Sequence, residues 1–64
     1  MTLLVLSKVI KDTDTVRIEN YETEEVIYYG PAKQIPMPLY NRQVRVMYVA
    51  VNVITIEVKS RPTD

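Results

Sequence analysis

The chain has no cysteine, histidine, tryptophan or phenylalanine, and only one glycine among its 64 residues. Without cysteine there is no disulfide, and without cysteine and histidine the usual structural zinc site has no ligands. Both common staples of small domains are therefore missing, and no metal or cofactor is expected. One glycine cannot build a glycine-rich phosphate loop. Nucleophile-and-base catalysis draws chiefly on histidine, cysteine or a tuned carboxylate pair, and only the last remains available. A chain this short leaves little room for the concave pocket such a pair needs, so the expectation is a protein without enzymatic activity. No apolar run approaches the roughly 20 residues that span a bilayer, so no membrane role is expected. Met1 to Ile10 has no basic segment ahead of its apolar stretch and no small-residue cleavage site after it. That pattern predicts no secretory signal and a cytoplasmic location.

What is present argues for a folded domain. Hydrophobic residues make up 47% of the chain and charged residues 25%, a balance that disfavours disorder. At this length a single domain buries only about 60% of the surface its unfolded chain exposes, so packing or a second copy must supply the stability. Eight basic and eight acidic residues give zero net charge, which removes the global field of a general nucleic-acid binder. The charges are unevenly spread. From Asp12 to Glu25 six acids stand against Arg17, and from Lys33 to Arg61 five bases stand against Glu57. An electrically two-sided molecule is expected.

Thr2 is a helix-capping residue, and Leu3, Leu6, Val9 and Ile10 follow with helical spacing, so residues 2–10 are expected to form a short amphipathic helix. The apolar run Leu3–Leu6 keeps a buried strand open as the alternative. Val16 to Tyr21 and Val26 to Gly30, separated by the acidic turn Glu22–Glu25, read as one hairpin. Residues 31–42, with Pro31, Pro36 and Pro38, read as a connection with one helical turn near Met37 to Asn41, anchored by Ile35, Met37 and Leu39. Val44 to Val49 and Val53 to Lys59 form a second hairpin turning near Val51-Asn52. The expected fold is an α+β domain over residues 1–59, a short N-terminal helix packed on a four-stranded antiparallel sheet of two hairpins, with 60–64 as a frayed tail. If residues 2–10 are a strand, a small five-stranded barrel of SH3 or OB type is the alternative.

Pairing Tyr21 with Val26 puts Val16, Ile18, Ile27 and Tyr29 on one face, and pairing Ala50 with Val53 adds Met47, Val49, Ile54, Ile56 and Val58. The opposite face then carries Arg17, Glu19, Ala50, Thr55, Glu57 and Lys59 beside an apolar patch of Tyr21, Val26, Tyr28, Val44, Val46, Tyr48 and Val53. Monomers rarely leave a patch of that kind in water, so these seven residues are the candidate interface of a symmetric homodimer.

The same strand pairing brings Arg42, Arg45, Lys59 and Arg61 towards one end of the sheet. With Tyr48 and Tyr40 as stacking surfaces, they are the candidate site of the alternative function, nucleic-acid binding. Asp12 and Asp14 have D-x-D spacing but lack the glycine and distal glutamate of a calcium loop, and read as a turn. Glu22, Glu24 and Glu25 read as a solvated hairpin tip.

Val16-Arg17-Ile18, Tyr21-Glu22-Thr23, Glu25 to Gly30, Ile35-Pro36 and Ile54 to Val58 together resemble small uncharacterised proteins of phages, prophages and mobile elements of Gram-positive bacteria. The likeness spans residues 2–59. It implies an origin on a mobile element and an accessory role, and carries no active site onto these positions.

Overall fold

The computed structural model describes residues 1–62, with side chains through Ser60. Alternation of β-branched with polar residues forms β1 (Thr15–Asn20) and β2 (Val26–Pro31), then β3 (Arg42–Ala50) and β4 (Val53–Pro62), after a helix α1 (Leu3–Ser7). The fold is α+β, as expected, but the sheet is mixed. Strand order is β2-β1-β4-β3. Each hairpin is antiparallel, whereas β1 and β4 pair in parallel, Val16 with Ile54 and Ile18 with Ile56. Turns dictate pairing within a hairpin, but burial decides which strands meet between hairpins. β1 and β4 carry Val16, Ile18, Ile56 and Val58, all with no exposed surface, and so take the centre.

One face of the sheet, the inner face, is covered by α1 and by the connection 32–41. Thr2 caps the helix, its Oγ1 accepting from Val5 N at 3.4 Å, and Leu4 N donates to Tyr40 O at 2.9 Å. Leu3 and Leu6 are buried. The helix is shorter than expected: bonds from Lys8 N to Val5 O and from Val9 N to Leu6 O tighten its end, and Val9 is 80% exposed. Asp14 N then donates to Lys11 O while Lys11 N donates to Asp14 Oδ2, closing a turn. Short 3-10 turns at Ala32–Gln34 and Met37–Leu39 flank Pro36. Ile35 and Leu39 anchor the connection as expected; Met37, midway between these two inward residues, points away and is 81% exposed.

The register shifts at three places, between Arg42 and Val44 near the end of β4 and at two bulges that set the faces. On β2 the register steps from Ile18–Tyr28 to Glu19–Val26, leaving Ile27 unpaired. On β3 it steps from Val44–Val58 to Val46–Glu57, leaving Arg45 unpaired. An extra residue reverses the alternation beyond it. Tyr28 therefore packs against the core and Tyr29 turns outward, the reverse of the expected arrangement, and Val44 also lies on the core side. β1 ends at Asn20 because that residue's Oδ1 accepts from Glu22 N and Thr23 N, and its carbonyl accepts from Glu24 N. The Tyr21–Val26 pairing is replaced by Glu19–Val26.

Ala50 pairs with Val53 across a two-residue turn in which Val51 and Asn52 have φ of 52° and 63°. Asparagine tolerates this left-handed backbone; a β-branched residue does not. The double change Val51→Asn, Asn52→Gly is therefore expected to stabilise the fold by about 1 kcal/mol, read from the urea midpoint. Unchanged or lower stability would contradict the strain at Val51.

Backbone pairing continues past residue 59, since Arg42 pairs with Pro62, so residues 60–62 of the expected tail belong to β4. Residues 63–64 of that tail lie outside the described residues. The sheet remains open rather than closing into a barrel: residues near the start of the chain make a single bridge, Thr2 to Gln43.

Candidate interaction surface

Cross-strand register arranges the outer face in three rows. The first is Pro31, Thr15, Val53, Ala50; the second Tyr29, Arg17, Thr55, Tyr48; the third Val26, Glu19, Glu57, Val46. Apart from Val53, the central strands thus present polar side chains outward, and apolar and aromatic side chains stand on the two edges. Arg17 Nε meets Glu19 Oε2 at 2.8 Å in this central stripe. The seven-residue patch expected from the sequence is consequently divided. Tyr28 and Val44 belong to the core side, Glu19 and Glu57 stand between Val26 and Val46, and the Arg45 guanidinium lies 5.1 Å from the centre of the Tyr21 ring.

What remains contiguous is the distal half of the β3–β4 hairpin. No charged residue lies between Arg45 and Glu57. Val46 and Tyr48 are exposed on the outer face, Met47 and Val49 on the inner face beyond the reach of α1, and Val51 at the turn is 94% exposed. A shallow groove of about 330 Å³ opens beside the turn, lined by Arg17, Tyr29, Tyr48, Ala50, Val51, Val53 and Thr55. Its floor is Thr55, which is buried although it faces outward, because Tyr48 and Arg17 flank it in the same row. Tyr29, Met47, Val49 and Val51 were absent from the interface expected from sequence. The uncharged run from 46 to 56 was the available signal for the last three, and the bulge at Ile27 concealed Tyr29.

Parallel pairing of β1 with β4 also rearranges the charges. The C-terminal ends of both strands lie together, so the turn bearing Glu22, Glu24 and Glu25 adjoins Lys59 and the start of β3. Glu22 Oε2 accepts from Ser60 N at 3.0 Å. Arg42 Nη1 donates to Lys59 O at 3.2 Å, tying strand to strand, while its Nε is buried without a hydrogen-bond partner. Arg45 covers Tyr21. Arg42 is thus held on the Lys59 carbonyl and Arg45 on the Tyr21 ring, and both lie beside the turn bearing Glu22, so the basic residues expected at one end of the sheet adjoin an acidic turn. The Arg61 side chain lies outside the described residues. Tyr40 is half-buried and packs against the core.

Among the described residues no group of three or more histidine, cysteine, aspartate or glutamate side chains is placed to hold a metal ion. No helix among them is long and apolar enough to cross a membrane. No protein-family model, curated protein or solved structure matches the chain significantly, so its functional reading rests on the surface just described.

Proposed function

We propose that the chain is a non-enzymatic protein–protein interaction module that associates with a second copy of itself through the distal β3–β4 hairpin. The observation that carries this reading is an uncharged segment exposed on both faces, Val46 to Val51, ending in a strained valine. Apolar surface of this kind is stabilised when another chain removes it from water. Val51, strained and almost fully exposed at the tip of that segment, stands where a partner would meet it. A cytoplasmic location and an accessory role on a mobile element belong to the same proposal. Nucleic-acid binding has less support, because Arg42 is engaged with the Lys59 carbonyl and Arg45 with the Tyr21 ring, both beside an acidic turn.

Light scattering at several concentrations, in low and high salt, tests the reading. A dimer that persists in high salt is expected, since its interface is apolar and little screened. Val46→Glu and Tyr48→Glu should each raise the dissociation constant at least tenfold while far-ultraviolet circular dichroism remains unchanged. A monomer at every concentration and salt would end the proposal.

A further inference from the structure

The exposed hairpin contains a second feature, independent of its side chains: β3 is an edge strand whose backbone is open over a short, well-defined stretch. We propose that two copies pair antiparallel along β3, with the two-fold axis at Tyr48, joining two four-stranded sheets into one continuous sheet. The inference deepens the self-association reading and rests on it.

The register follows from what bounds the open stretch. Towards the start of β3, Met1 O accepts from Val44 N at 2.8 Å and Thr2 bridges Gln43, so that part of the edge is already occupied. The bulge at Arg45 follows. At the other end the turn begins at Val51. The straight, unoccupied segment is Val46–Ala50, and its midpoint is Tyr48. The hydrogen-bond alternation of the ladder agrees with this centre. Across a two-residue turn the flanking pair Ala50–Val53 exchanges both bonds, and so does the pair Tyr48–Thr55. The N–H and C=O groups of Met47 and Val49 therefore point away from β4. Centred on Tyr48, Met47 of one copy meets the partner's Val49 and both exchange hydrogen bonds, while the two Tyr48 rings meet across the axis on the outer face. Arg45 falls opposite the partner's Val51, so no like charges face one another.

A second copy fits as the occupant because the segment is self-complementary about Tyr48, apolar residue meeting apolar residue and Arg45 meeting Val51, and among the described residues β3 is the more suitable edge. β2 is short, bulged at Ile27, ends in Gly30-Pro31 and adjoins the acidic turn, all features that discourage strand addition. β3 between residues 46 and 50 has no proline, charge or bulge. Pairing β3 with β3 is isologous and closes at two copies. Five paired residues make an interface below the usual size, so the dimer is weak and concentration-dependent.

Proline substitution and single-cysteine cross-linking test the register. Met47→Pro and Val49→Pro remove N–H groups that β4 does not use, which an edge strand tolerates, and each should raise the dissociation constant at least tenfold. Tyr48→Cys should form a disulfide dimer readily in a chain that has no other cysteine. Met47→Cys should not, because its counterpart in the partner lies diagonally opposite and beyond disulfide reach. If a proline variant unfolds, the cysteine pair decides. A wild-type dimer with Tyr48→Cys cross-linking no faster than Met47→Cys would overturn edge pairing and leave self-association standing. A monomer at millimolar concentration would overturn both and leave the edge to a foreign strand.

Discussion

Replacing Ile56 by alanine is expected to cost about 2–5 kcal/mol, the range for truncating a fully buried isoleucine. Ile56 has no exposed surface and stands in the inner row Tyr28, Ile18, Ile56, Met47. The cost combines the lost transfer energy of the side chain with the cavity left between the sheet and its cover. A domain of this size has a total stability of about 3–10 kcal/mol, so the variant should be largely unfolded at the weak end of that range. Urea titration followed by circular dichroism measures the effect. Val49→Ala supplies the contrast on the same face: Val49 is 65% exposed and its truncation should cost less than about 0.5 kcal/mol. Similar losses for the two variants would mean that the inner face is not covered as described.

The second large effect is expected at the single glycine. Gly30 has φ of 158°, and a Cβ there would lie 2.9 Å from the Tyr28 hydroxyl oxygen. That hydroxyl cannot move freely, because it donates to Pro31 O at 2.6 Å and its ring packs against the core. Gly30→Ala should cost about 1–3 kcal/mol through backbone strain together with displacement of the tyrosine. A double-mutant cycle separates the two causes. In the background of Tyr28→Ala the obstructing ring is gone, and the cost of Gly30→Ala should fall to the backbone contribution alone. Equal costs in both backgrounds would show that the ring is not the obstacle.

These positions also show how far the sequence could be read. The strands, the acidic turn, the hairpin turn at Val51-Asn52, and the anchoring roles of Ile35 and Leu39 follow from alternation, turn chemistry and proline placement. The parallel contact between β1 and β4 does not. Nothing local in Val16–Asn20 or Ile54–Val58 specifies that these strands meet; the choice emerges only when the connection crosses the inner face and the most apolar strands take the centre. The bulges were equally hidden, since Ile27 and Arg45 carry no glycine or other marker of an extra residue. Each reverses the faces along part of its strand, which is why alternation alone points Tyr28 and Val44 outward and Tyr29 inward. Tyr21, Val26, Val46, Tyr48 and Val53 do lie outside the core cluster, but the glutamates of the central strands divide them.

The parallel contact has a kinetic consequence. Val16 and Ile54 are neighbours in the sheet although 38 residues separate them in the chain, and the central strand beside β1 is synthesised after the other three strands described. The first hairpin and its helix cannot complete their core until that late segment arrives. Loop closure of this length must precede most of the burial that rewards it, so the chain should fold more slowly than two consecutive hairpins of the same composition would. During synthesis, then, the nascent polypeptide gains its native packing in one late step rather than hairpin by hairpin.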